Sequence, residues 1–224
     1  MRGLVNVLAI ALAASVGLAG CGHDAAHGAP PDRGSDAAED VAREQLRFDT
    51  ERRPDLVVKA LAIKPGSRVA DVGAGSGLLT VHLARAVAPT GKVTATDVAA
   101  HVLDLMKQRL VAAGLDGVVE GRIVAADTPG LEDGAYDAIL LAEVDNYFTD
   151  PVAWLRAALP ALKPGGRIVI ENRIHHRAKS MAAAQKAGLV LLEESNPVPT
   201  HFLAVFVAPG AAPGTDADKL KGTP

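Results

Sequence analysis

The sequence predicts a doubly wound α/β domain: a seven-stranded, mostly parallel sheet with an antiparallel last strand and helices on both faces. Three observations predict it. Short β-branched runs alternate with amphipathic stretches of helical period, the pattern of parallel strands joined by crossover helices. The first run passes directly into glycines at alternate positions, Gly73, Gly75 and Gly77. The last two runs are separated only by Asn196-Pro197-Val198-Pro199-Thr200. A parallel crossover needs a dozen or more residues, so the final strand must run antiparallel to its neighbour.

In chain order the strands are expected at 68–72, 92–96, 122–126, 136–142, 167–170, 189–194 and 201–207. After Asp97, residues Val102, Met106, Leu110 and Ala113 fall on one helical face, and Gly114 supplies the stop. A second helix is expected from Asp150-Pro151, an N-cap followed by proline in the first turn. Trp154, with Val152, Leu155 and Leu159, reads as packing on that helix.

Composition bounds the rest. A chain of 224 residues suits one domain with appendages. Hydrophobic residues at 49% against 22% charged exclude wholesale disorder, and 3% aromatics leave the core to Ala, Val, Leu and Ile. With 23 basic and 26 acidic residues and no basic run, nucleic acid held by phosphate neutralisation is excluded as a partner. The single Cys21 allows no intramolecular disulfide, and no Cys/His spacing suits structural zinc.

The amino terminus reads as a secretory signal. Arg2 precedes an apolar stretch, and Leu18-Ala19-Gly20-Cys21 resembles a bacterial lipobox, in which the cysteine becomes the lipidated first residue. The expected organisation is a signal peptide over 1–20, a lipidated flexible tether over 21–35, a folded domain over 36–208 and a disordered tail over 209–224. Acyl chains on Cys21 would hold the domain to a membrane, each buried methylene adding about 0.8 kcal/mol. This makes the protein a membrane-anchored lipoprotein on the periplasmic side. Gly22, with no Asp in that place, leans toward the outer membrane by analogy with enterobacterial sorting. His23 and His27 sit in the tether and read as solvated.

The strongest local signal is Val69-Ala70-Asp71-Val72-Gly73-Ala74-Gly75-Ser76-Gly77, a strand entering a glycine-spaced turn ahead of a helix. Such a turn lets backbone approach a ligand closely, and the helix start near Leu78 offers amide donors. The dinucleotide fingerprint fails, because Leu78 or Thr80 stands where its last glycine belongs, and no Gly-Lys-Ser/Thr follows for a phosphate loop. Asp71-x-Gly73-x-Gly75-x-Gly77 instead resembles the first motif of the class I S-adenosylmethionine-dependent methyltransferases, whose fold is Rossmann-like. Leu162-Lys163-Pro164-Gly165-Gly166-Arg167-Ile168-Val169-Ile170 resembles the passage into their fifth strand, and Ala62-Ile63-Lys64-Pro65-Gly66-Ser67-Arg68-Val69 the lead-in to their first.

The resemblance implies S-adenosyl-L-methionine as cofactor and methyl transfer to a small-molecule acceptor. It implies that Asp71 and the backbone of Gly73, Gly75 and Gly77 hold the methionine portion, with Ala142 or Glu143 completing that site. Asp97, 20 residues after Gly77, becomes the ribose-binding acid, and Val98 packs on the adenine. Asp97 serves equally as an N-cap of the following helix. Asp127 becomes the acceptor for the adenine amino group, with turn formation through Thr128-Pro129-Gly130 as its rival reading.

Catalytic candidates lie at strand ends facing the crevice: Glu143 and Asp145 after the fourth strand, and His175 after the fifth, beside His176. Histidine titrates near neutral pH and suits a general base. Glu143, Asp145, Glu171 and Asn172 resemble, with Glu for Asp, the ligand set of divalent-metal O-methyltransferases. The rest of the chain looks closer to small metal-free methyltransferases, so no metal is expected. Nothing in the pattern fixes an oligomeric state. The cofactor is cytosolic, whereas a lipidated Cys21 would place the domain across a membrane from it. The alternative is therefore a non-catalytic, membrane-tethered binding module that retains the fold.

Overall fold

The computed structural model describes residues 33–210, with side chains from Glu39 onward. The expected signal segment, Cys21, His23, His27 and the chain beyond Gly210 lie outside the described residues. Helix α1 (Arg33–Arg52) ends where Arg53 turns left-handed, at φ 51°, ahead of Pro54. Proline has no amide hydrogen and clashes with a preceding helical turn, so the chain restarts as α2 (Pro54–Leu61).

The doubly wound unit follows: β1 (Arg68–Val72), α3 (Thr80–Val87), β2 (Lys92–Asp97), α4 (Ala100–Ala112), β3 (Val119–Ile123), β4 (Tyr136–Ala142), α5 (Pro151–Ala158), β5 (Leu162–Arg173), α6 (Arg177–Ala187), β6 (Val190–Val198) and β7 (His201–Val207). The strands form one sheet in the order β3-β2-β1-β4-β5-β7-β6. Pairs among β1 to β5 are parallel, while β7 runs antiparallel to both β5 and β6. The strand order reverses between β1 and β4, and an open α/β sheet leaves a crevice at the carboxyl ends of the strands at such a point.

Alternation along the strands feeds two cores. Ile139, Leu141, Ile168 and Ile170 face α5 and α6 with Trp154, Leu155, Phe202 and Phe206. Ala138, Leu140, Val69 and Val169 face the other layer, with Val57 and Leu61 of α2, Leu83 and Val87 of α3, and Met106 and Leu110 of α4. Burial on both sheet faces explains why the strands read as apolar runs. Asp150 caps α5, its carboxylate accepting from Val152 N and Ala153 N at 3.0 Å.

Several expected boundaries shift. The third strand was expected at 122–126 but spans Val119–Ile123. Its register is set by β2, whose last residue, Asp97, pairs with Ile123; Val124 N still donates to Asp97 O at 3.0 Å, and the chain then leaves the sheet. Strand β5 is longer than 167–170. Pairing with β4 reaches back to Leu162 across an irregularity, and pairing with β7 extends forward to Arg173. On α4 the buried apolar face is Leu103, Met106 and Leu110, so Leu103 takes the place expected of Val102.

Candidate active site

The three glycines after β1 all have positive φ, 70° at Gly73, 54° at Gly75 and 84° at Gly77, but they do different work. A Cβ at Gly73 would lie 2.6 Å from Val144 Cγ2, and one at Gly77 2.5 Å from Met106 Cγ. Those two permit close packing. At Gly75 a Cβ would meet nothing within 4 Å, so this residue opens onto the crevice.

The turn does not present a row of bare amides to a ligand, as its composition suggested. Gly73 N and Ala74 N donate to Thr96 O at 2.8 and 3.0 Å, Gly77 N to Ala74 O at 3.0 Å, and Gly75 N to Asp97 Oδ2 at 3.0 Å. The loop curls over the end of β2 and spends these four donors on the protein. What it contributes is bare Cα surface and a fixed path for the chain.

Two recesses meet over this loop. The larger, about 370 Å³, is walled by Asp97, Val98, Val124 to Thr128, Val144, Tyr147 and Phe148. Val98 and Tyr147 stand at its rim with 62% and 79% of their surface exposed. Apolar surface so placed has a reason to exist if a flat ring covers it. The smaller, about 160 Å³, is lined by Asp71, Gly73 to Ser76, Leu78, Ala142 and Glu143, with Phe48 and Arg52 of α1. Gly73 and Glu143 line both.

Of the residues expected at a cofactor, Asp71, Gly73, Gly75 and Ala142 therefore line the smaller recess, and Asp97, Val98 and Asp127 the larger. Gly77 lines neither and packs on α4. Asp71 is buried, and Thr80 Oγ1 donates to its Oδ2 at 2.7 Å. Burial pushes its pKa up to about 6, against the Thr80 bond and aided by the nearby Asp97 charge. Asp97 accepts from Ala99 N as well as Gly75 N, both at 3.0 Å, and so ties two loops together. It is not the N-cap of α4, a place held by Ala99. Asp127 is left-handed at φ 60° and accepts from Thr149 N at 2.7 Å, pinning the loop after β3 to the segment before α5. That bond holds its carboxyl below the usual range.

The expected catalytic residues separate. Glu143, at φ 50°, accepts from Arg52 Nη1 and Arg173 Nε at 2.8 Å and meets His201 Nε2 at 3.1 Å. Burial alone would raise its pKa, but the bonds from Arg173, Arg52 and His201 bring it to about 2. A carboxylate so held is a poor proton acceptor. Glu171, 1% exposed, accepts from Arg52 Nη2 with both of its oxygens, at 2.9 and 3.0 Å, and burial still pushes its pKa up. Asp145 is buried away from this group, accepting from Asn172 Nδ2 at 2.7 Å and from Ser180 Oγ. Asn172 is thus turned away from Glu143 and Glu171. Among the described residues no group of three or more His, Cys, Asp or Glu side chains is placed to hold a metal ion.

His175 is exposed, its ring 4.0 Å from that of His176. It lies on a third cavity of about 640 Å³, between α1 and the β6–β7 turn, whose lining includes Phe48, Arg52, Leu78, Arg173, Thr200 and His201. Phe48, Arg52 and Leu78 also line the smaller recess, so the two spaces are neighbours that share a wall. Trp154 is buried and stacks on Phe148, ring centroids 4.4 Å apart at 8°.

Three partners of Glu143 escaped the sequence reading, Arg52, Arg173 and His201. A strand running antiparallel presents its first residue, not its last, at the carboxyl edge of its parallel neighbours, and His201 pairs there with Arg173. The inferred direction of β7 was the available signal. Arg52 had none beyond its position just before Pro54.

Residues 70–168 match the family model described as a methyltransferase domain. A ubiquinone biosynthesis O-methyltransferase of Xanthomonas campestris is 30% identical over 158 residues, covering 70% of this chain and 63% of that protein. A ubiquinone/menaquinone biosynthesis C-methyltransferase of Pseudomonas savastanoi is 32% identical over 132 residues, 59% of this chain and 52% of its own length. The chain thus spans between half and two thirds of these curated relatives. Among solved structures, a SAM-dependent methyltransferase from Aquifex aeolicus aligns with TM-score 0.66 at 20% identity, covering 75% of this chain and 97% of its own. A geranyl diphosphate C-methyltransferase from Streptomyces coelicolor, solved with S-adenosyl-L-homocysteine, aligns with TM-score 0.63 at 16% identity, covering 80% and 85%. The stretch that carries the glycine turn, Asp97 and β4 is therefore similar in sequence to a methyltransferase domain, and the chain has the fold of solved S-adenosylmethionine-dependent methyltransferases.

Proposed function

We propose that the protein is an S-adenosylmethionine-dependent methyltransferase acting on a small-molecule acceptor. The observation that carries this is the paired recess at the β1/β4 switch point. One end holds a buried carboxylate, Asp71, suited to an α-ammonium group. The other joins a carboxylate, Asp97, to an apolar rim of Val98 and Tyr147, suited to a ribose and a purine. Such a cofactor brings an activated methyl group, and the chain's own task is to align an acceptor with it. Calorimetry of the full chain with S-adenosylhomocysteine should give a micromolar Kd; no binding at millimolar ligand would remove the reading. The names of the quinone-pathway relatives support a ring-bearing acceptor.

Asp71 makes the binding depend on pH. If the ammonium group faces Asp71, the carboxylate must be ionised to hold it. Affinity should therefore rise by up to about tenfold per pH unit between pH 5 and 6 and level off above. Asp71→Asn should flatten that dependence and weaken binding at pH 8. The stability effect has the opposite sign. A folded pKa raised from 3.8 to about 6 means the native state keeps a proton that the unfolded chain releases, so stability falls as pH rises through that window. Asp71→Asn should then melt a few degrees higher than the natural chain at pH 8, measured by differential scanning calorimetry.

We infer from Leu18-Ala19-Gly20-Cys21 that the chain is a lipidated, membrane-held protein on the periplasmic side. Cys21→Ser should move it from the membrane to the soluble fraction; persistent labelling with a fatty-acid probe would contradict the anchor. That location supports a second reading, a tethered module that binds a nucleoside-like ligand without methyl transfer. Binding of S-adenosylhomocysteine with no methylated product, in an untargeted comparison of extracts with and without the protein, would favour it.

A further inference from the structure

Resting on the methyltransferase reading, we propose that Thr200 and His201 are the proton-accepting end of the acceptor site, and that the acceptor is a phenolic hydroxyl. His201 is buried where β7 begins, with its Nε2 at Glu143 Oε1 and its Nδ1 2.8 Å from Thr200 Oγ1. Glu143 is flanked by Arg52 and Arg173 and is ionised, so it only accepts. Nε2 must therefore carry the hydrogen of that contact. A neutral imidazole then has its lone pair on Nδ1, where the Thr200 hydroxyl donates.

This fixes a direction for a proton. Thr200 and His201 both line the 640 Å³ cavity, which shares Phe48, Arg52 and Leu78 with the adjacent smaller recess. As the acceptor oxygen bonds to the methyl carbon, the carbon–sulfur bond breaks and sulfur keeps the pair. The hydroxyl proton passes to Thr200 Oγ, and the Thr200 proton passes to His201 Nδ1. The imidazolium so formed lies against Glu143, with Glu171 beyond it, while Arg52 of α1 and Arg173 of β5 remain paired to those carboxylates. The other ionisable groups on this cavity are Glu44, Arg47 and Glu51 of α1 and His175, all solvent-exposed.

The class of acceptor follows from the relay. Thr200 gives its proton to His201 only as it takes one from the acceptor, so the acceptor must be the readier acid of the two hydroxyls; a phenol, with a pKa of about 10, is, and an aliphatic hydroxyl like that of Thr200 is not. A neutral amine or a thiolate needs no base at all. Phe48, Leu78, Ile174 and Pro199 supply apolar walls for a ring.

The test uses the full chain, S-adenosylmethionine with a tritiated methyl group, and catechol as the probe. The natural protein should methylate catechol. His201→Gln should lower kcat about 10²- to 10³-fold with the S-adenosylhomocysteine Kd unchanged. Its rate should climb through pH 9, as catechol ionises unaided, more steeply than that of the natural enzyme. Thr200→Val should lower kcat in the same way, and it carries the test should His201→Gln fail to fold. Unchanged kcat and pH profile in either folded variant overturns the proton path. Cofactor binding without transfer to catechol overturns the phenolic acceptor. Failure of the natural chain to bind S-adenosylhomocysteine overturns the methyltransferase reading itself, and this proposal with it.

Discussion

Arg52→Ala should destabilise the folded protein by about 3–5 kcal/mol, the cost of leaving a buried carboxylate without its partner. For a chain of this size that is a fall in Tm of roughly 10 °C. Arg52 bridges two acids at once, Glu143 and the fully buried Glu171. Without it Glu171 keeps the desolvation that already raises its pKa and loses the charge that opposed it. A carboxylate with a raised folded pKa holds a proton the unfolded chain gives up, so the deficit is fully present above that pKa and shrinks on acidification. Glu143 works the other way. Held at about 2, it contributes stability above its unfolded pKa that disappears as pH falls toward 2, and Arg173 and His201 keep much of it in place. The difference between natural and variant melting temperatures should thus be larger at pH 8 than at pH 5. An equal loss at both would mean that Arg52 acts through packing on Phe48, 5.6 Å from its guanidinium, and not through charge.

Arg52 also shows where a single sequence stops being informative. The glycine turn, the direction of β7 and the limits of β1, β4 and β7 follow from local chemistry: turn residues, loop length and short apolar runs. They were legible because no distant partner decides them. The third strand was misplaced because its register belongs to β2. Ile123, Val124, Ala125 and Ala126 form the more apolar run, yet only Val119–Ile123 has a neighbour to pair with. The remaining Val124 to Ala126 wall the larger recess. In the same way Asp71, Asp97 and Asp127 were picked out by the family resemblance, and the structure puts them on the recess walls, but their partners were not legible. Nothing near Asp97 in sequence says that its carboxylate spans to Gly75 N. Glu143 was legible as a site acid and illegible as a hub, because its three partners come from residues 52, 173 and 201.

Gly75→Val should abolish S-adenosylhomocysteine binding, with a loss of more than 100-fold by calorimetry, while the protein remains folded. The position separates ligand contact from folding better than its neighbours do. At Gly73 and Gly77 a side chain would run into Val144 or Met106, so substitution there strains the fold and loss of binding is uninformative. At Gly75 an added Cβ meets open space in the smaller recess, and the protein's cost is the left-handed backbone, φ 54°. For a β-branched residue that costs roughly 1–3 kcal/mol, enough to lower the melting temperature but not to unfold the domain. Gly75→Ala separates the two effects further, since it meets the same backbone strain with one methyl group. It should melt close to the valine variant and retain more of the affinity. If both variants bind S-adenosylhomocysteine as the natural chain does, the ligand does not pass over Gly75, and the assignment of the smaller recess to its amino-acid end falls.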